Sequence, residues 1–128
     1  MNKIALTFLR LMPWFFGIGL VLTTTLALVP STSIPHELIF WDKAQHALAF
    51  TALAVTGCLA FPKKMKLVCL GLVIHGGLIE IMQSTLTTTR FGDALDWLAD
   101  GVGILIGVVI CIMLDRLDSI RDKRLQSS

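Results

Sequence analysis

Nine residues stand out from an otherwise apolar sequence as carriers of chemistry: Asp42, Lys43 and His46, then Glu80 and Gln83, then Arg90, Asp93, Asp96 and Asp100. Glu80 and Gln83 are three apart and share one face of a helix. Asp93, Asp96, Asp100, Gly103 and Gly107 follow at spacings of 3, 4, 3 and 4, which makes a single helical stripe with acids at its start and glycines further in. Asp42, His46 and Phe50 also recur at helical spacing. A carboxylate on one ring nitrogen raises the basicity of the other, so His46 is a candidate proton-transfer group, with Glu80 as the second. A hydrogen-bonded interface histidine is the competing reading. Lys43 and Arg90 are cations suited to a phosphate or carboxylate. The set as a whole reads either as a recognition or catalytic site or as an ion-pair lattice that only orients helices.

Other chemistries lack their signatures. There is no His-Glu-x-x-His spacing, no glycine-rich phosphate loop and no Gly-x-Ser-x-Gly elbow. His46, Glu80, Asp93 and Asp96 offer oxygen-rich ligands without a fixed metal spacing, so no metal is assigned and any cofactor stays open. Cys58, Cys69 and Cys111 have no CxxC spacing and read as small apolar core residues. A net charge of +2 does not point to nucleic acid.

The elements that must position these residues are apolar and long. The 128-residue chain is 55% hydrophobic and only 16% charged, more apolar surface than a soluble domain of this size can hide. Runs at 11–29, 44–61, 67–86 and 94–114 each approach the about 20 residues that a helix needs to cross a bilayer. The expected fold is therefore all-α, a polytopic four-transmembrane-helix bundle forming one domain over residues 1–128, with a tail at 115–128. The first run is longer than a signal-peptide core and no Ala-x-Ala site follows it, so it is expected to remain as a crossing. Pro13 falls in its first turn, and Asp42 and Asp93 are expected to N-cap the second and fourth crossings. A cytoplasmic N-terminus puts nine of the 11 basic residues inside and only Lys43 and Arg90 outside, the arrangement that the positive-inside rule favours.

That topology brings the unusual polar residues to the non-cytoplasmic ends of three helices. Glu80 lies six residues before the end of its run, roughly 9 Å deep at 1.5 Å per residue. Asp100 is similarly deep. Neither is affordable as a bare anion facing lipid, so each needs a partner, water or a proton. His75, in mid-helix beside Gly76 and Gly77, reads as a packed neutral histidine.

The ordered elements Asp42-Lys43-x-x-His46-x-x-x-Phe50, Gly76-x-x-x-Glu80-x-x-Gln83 and Arg90-x-x-Asp93-x-x-Asp96-x-x-x-Asp100-x-x-Gly103-x-x-x-Gly107 resemble the VanZ-like family of small bacterial membrane proteins. The resemblance covers residues 41 to 107. That family usually carries asparagine where this chain has Asp100. It takes its name from a determinant of glycopeptide resistance associated with teicoplanin. The resemblance implies a multi-pass protein of the bacterial inner membrane acting at the cell envelope. The expected function is a polar site at the outer face that engages an envelope lipid or the head group of a cell-wall precursor. The alternative is a non-enzymatic scaffold whose Gly103 and Gly107 face receives a partner helix.

Overall fold

The computed structural model describes residues 3–29, 39–88 and 92–126, with the backbone alone at 3–6, 39–41, 121–122 and 124–125. Four helices account for nearly all of them: α1 (Lys3–Leu28), α2 (Ile39–Ala60), α3 (Met65–Leu86) and α4 (Ala94–Gln126), with a short 3-10 turn at Pro62–Lys64 between α2 and α3. No strand occurs among the described residues. At Pro62 the chain leaves α2 for the turn, the proline having no N–H with which to continue the ladder. Asp93 caps α4 as expected, its Oδ1 accepting the Leu95 N–H at 2.9 Å.

Two boundaries differ from the sequence reading. Helix α2 begins at Ile39, so Asp42 sits in its first turn instead of capping it. Its charge still faces the positive end of the helix dipole. Helix α1 begins at Lys3, which leaves Pro13 inside the helix and not in its opening turn. The segment at 115–126 continues α4 without a break.

Thr7–Leu28, Pro62–Leu86 and Ala94–Ile120 are each long and apolar enough to cross a membrane. Helix α2 is outside that set, because Asp42, Lys43, Gln45 and His46 crowd its first two turns. The outward surface is apolar: Leu48 and Leu105 are 72% and 67% exposed, which suits lipid and not water. The chain is thus all-α, with three helices compatible with a multi-pass membrane protein.

The helix with the most polar opening turns lies against every other. Helix α2 packs against all three others, whereas α1 and α4 do not touch each other among the described residues. Phe50, Leu53, Ala54 and Cys58 of α2 are buried. Neighbouring contacts set the directions. Gly57 meets Phe16 and Val68, so α1 and α3 run antiparallel to α2. His46 pairs with Asp100 and Thr51 meets Gly103, so α2 and α4 run parallel.

The α2–α4 seam is close because small residues line it. A side chain at Gly103 would run into the Ala47 backbone, and one at Gly107 would meet Ala54 and the Thr51 carbonyl. Thr51 Oγ1 lies 2.7 Å from the Ala47 carbonyl of its own helix and 3.0 Å from the Gly103 carbonyl of α4. In lipid, apolar burial gives little drive for helices to associate, so backbone approach and hydrogen bonds of this kind carry the packing. The helix that Gly103 and Gly107 admit is therefore α2 of the same chain, and both glycines are buried by it. Gly101 has nothing within 4 Å of an added Cβ. We expect Gly103→Ala to lower the thermal stability of the detergent-solubilised protein by about 1–3 kcal/mol, the usual cost of overpacking. Gly101→Ala should leave it unchanged or raise it, since alanine is the better helix former.

Candidate functional site

The parallel α2–α4 pair starts at the end of the bundle where α1 and α3 finish. That geometry, set by three successive antiparallel connections, is what brings the chemistry-bearing residues together. Lys43 reaches from the first turns of α2 to the start of α4. Its Nζ donates to Asp93 Oδ2 at 2.8 Å and to Asp96 Oδ1 at 2.7 Å. One turn further in, His46 Nδ1 lies 2.9 Å from Asp100 Oδ1. Glu80 approaches from α3, and its Oε2 accepts the Asp93 N–H at 2.6 Å. A carboxylate there also complements the positive end of the α4 dipole.

The cluster has an outer and an inner layer. Outside, Lys43 serves two carboxylates while keeping 25% of its side chain exposed. Burial alone would lower the Lys43 ammonium, but the hydrogen bonds to Asp93 and Asp96 and the charges of both acids outweigh it and push it up to about 12. Asp93 is held below its ordinary 3.8, first by the Lys43 hydrogen bond and then by the Leu95 N–H. Inside, Asp100 is fully buried and the His46 side chain is 11% exposed. Among the described residues, two buried side-chain oxygens have no hydrogen-bond partner: Glu80 Oε1 and Asp100 Oδ2. Such atoms are costly in a native fold unless a proton, a water or an ion answers them.

The structure redistributes several of the sequence-predicted roles. His46 takes its carboxylate partner from Asp100 on α4 and not from Asp42 on its own helix, because the seam is closer than the helical turn. Asp42 remains beside it: His46, Asp42 and Asp96 each place one ligand atom within 4.8 Å of the others. Gln83 is buried, but its amide donates to the Ala27 carbonyl on α1 at 3.0 Å, tying α3 to α1 beside the cluster. Arg90 lies outside the described residues. His75 packs near Phe50, with its Nε2 3.4 Å from the hydroxyls of Thr23 and Thr24, in keeping with a packed histidine.

One contributor had no sequence signal of function: the Asp93 backbone N–H orients Glu80, and no side-chain pattern encodes that. Gly76, which the sequence places in one motif with Glu80 and Gln83, is the closest-fitting glycine of α3, since a Cβ there would stand 2.7 Å from Asp100 Oδ2.

Two grooves reach the cluster from the sides. One, of about 400 Å³ between α1 and α2, has Asp42, Gln45 and His46 at its polar end and Leu26, Leu48 and Ile79 along its apolar length. The other, of about 330 Å³ between α3 and α4, is bordered by Glu80, Ser84, Gly92 and Trp97. A larger apolar groove of about 480 Å³ lies by Phe16, Phe61 and Lys64 at the opposite end, away from the acids.

Lys43→Met should strand Asp96, whose side chain is only 9% exposed. We expect a loss of about 2 kcal/mol in reversible unfolding, less than the about 3–5 kcal/mol of a fully buried pair because Lys43 is partly solvated. The pH dependence has a definite sign. Asp93 is depressed, so its contribution is present above 3.8 and fades as pH falls through the lower folded value. Lys43 is raised, so its contribution is complete below 10.5 and fades as pH rises towards about 12. Thermal melts in detergent should therefore show the Lys43→Met penalty at full size across neutral pH and a smaller penalty at either extreme.

No family model, no curated protein and no solved structure matches this chain. What the site can do follows from its own residues.

Proposed function

We propose that the chain is a VanZ-like protein of the bacterial inner membrane whose polar cluster receives the head of an envelope lipid or cell-wall precursor. In this reading all four helices cross the bilayer. Helix α2 crosses despite its polar start because the other three sheathe it and because its charges sit at the interface. Both termini are cytoplasmic, as the distribution of basic residues favours, and the cluster faces outward.

The observation that carries the proposal is the groove between α1 and α2. It is apolar along its length and ends at Asp42, Gln45 and His46, which is the polarity profile of an amphiphile lying against the bundle. Lys43 is already shared by Asp93 and Asp96, and the sequence offers Arg90, outside the described residues, as a second cation for a phosphate or carboxylate. The acids of the cluster suit an ammonium on the same head. If the bound head is altered chemically, His46 or Glu80 moves the proton.

A second reading rests on a different observation. Lys43 with Asp93 and Asp96, and His46 with Asp100, satisfy one another and stitch α2 to α4. A scaffold whose charges only set helix register would look the same at these bonds. Since α2 already covers Gly103 and Gly107, a partner helix for such a scaffold would have to use another face.

Lipid carried through purification separates the two. We expect native mass spectrometry of the wild-type protein to show bound envelope lipid, and Arg90→Ala and Glu80→Gln to reduce it at least about tenfold, or ~1.4 kcal/mol. Folded variants that retain lipid like the wild type would favour the scaffold. A reporter fused to the C-terminus should be active only in its cytoplasmic form.

A further inference from the structure

We propose that His46, Glu80 and Asp100 bind one divalent transition-metal ion, of the Zn²⁺ or Mn²⁺ type, at the junction of α2, α3 and α4. One ligand atom from each lies within 4.8 Å of the other two. An ion with nitrogen and oxygen ligands at about 2.0–2.2 Å sets its donors about 3.0–3.5 Å apart, so the longest separation needs to close by little more than about 1 Å. The 2.9 Å between His46 Nδ1 and Asp100 Oδ1 is already a ligand-to-ligand spacing.

An independent observation points into the same place. The two buried oxygens without partners, Glu80 Oε1 and Asp100 Oδ2, belong to these same carboxylates. Asp100 is fully buried, and its Oδ2 faces α3 at Gly76, one turn before Glu80 on the same helix face. The Asp93 N–H fixes the other oxygen of Glu80, leaving Oε1 oriented and unused. Lys43 cannot supply the missing positive charge, because both its hydrogen bonds go to Asp93 and Asp96 in the outer layer.

Charge argues for a divalent ion. Two carboxylates and a neutral imidazole make an electrically neutral complex with a 2+ ion, which is the form tolerated at this depth. With Nδ1 on the metal, the Nε2–H of His46 is free for a second carboxylate, and Asp42 and Asp96 are both close to the ring. Mixed nitrogen and oxygen donors select Zn²⁺ or Mn²⁺ over Ca²⁺. Three protein ligands leave a coordination position open, so the ion would present a Lewis acid to whatever enters the grooves.

The test uses the full chain in detergent, stripped with EDTA, dialysed against Zn²⁺ or Mn²⁺ and analysed for metal content, affinity and thermal shift. The expected result is one ion per chain, bound at 10 μM or tighter (about −7 kcal/mol), with a rise in Tm. Glu80→Gln and Asp100→Asn should bind at least tenfold more weakly and lose the Tm rise, each measured against its own metal-free melt. Asp115→Asn, on the exposed far end of α4, should bind like the wild type. X-ray absorption on the wild-type protein alone should show nitrogen and oxygen ligands only, so the proposal stays testable if a variant does not fold. Sulfur ligands, equal binding by Glu80→Gln and Asp100→Asn, or a wild-type protein that binds neither ion would overturn it. So would a metal-free protein in which Arg90→Ala alone abolishes the stability of the cluster, since the guanidinium would then hold that place.

Discussion

Five carboxylates and two basic side chains meet where three helices of a strongly apolar bundle converge, and the inner ones are shut off from solvent. That constraint shapes the rest of the structure. Each charge has to be answered by another group of the chain, and the groups available lie on other helices. Lys43 answers Asp93 and Asp96 across the α2–α4 seam, His46 answers Asp100, and a backbone N–H answers one oxygen of Glu80. Helices that carried these residues separately would each face a cost of several kcal/mol on exposure to lipid.

The pairing in turn demands close helices, and the seam supplies them. Gly103 and Gly107 bring the α4 backbone against Ala47, Thr51 and Ala54, near enough for Thr51 to reach the Gly103 carbonyl. The acids lie on the same stripe as the glycines, so tight packing below and charge pairing above are one feature of α4. Gly76 plays the same part on α3, leaving room for the Asp100 carboxylate. What the packing does not do is complete the inner layer. Two buried oxygens there remain without partners, whereas in the outer layer Lys43 bonds both Asp93 and Asp96. A fold that spends small residues to admit a buried acid and then leaves the acid half-bonded has more to gain from a ligand than from rigidity alone.

Much of this was legible in the chain. The apolar runs gave the helices, and the 3-4-3-4 spacing marked the face of α4 that others must meet. Asp93 was readable as a cap because a capping aspartate precedes its helix by a fixed distance. The partners were less legible. Helical periodicity reveals neighbours one turn away, so it offered Asp42 to His46 and could not offer Asp100, which comes from a helix more than fifty residues on. It marked Gln83 as polar and buried without naming the Ala27 carbonyl that holds it. The glycines announced a close approach without saying that the visitor was α2. The start of α2 was misplaced because Ile39, Phe40 and Trp41 carry no capping signal, and a polar Asp42 looked like one.

His46 and Asp100 join α2 to α4 as a buried hydrogen-bonded pair at the head of their seam, and a double-mutant cycle on the two addresses this directly. With His46→Ala, Asp100→Ala and the double variant unfolded reversibly in mixed micelles, the account predicts a coupling of about 1–3 kcal/mol, with the double variant less damaged than the sum of the singles. Strict additivity, within about 0.3–0.5 kcal/mol, would mean that the two side chains do not meet and would contradict it.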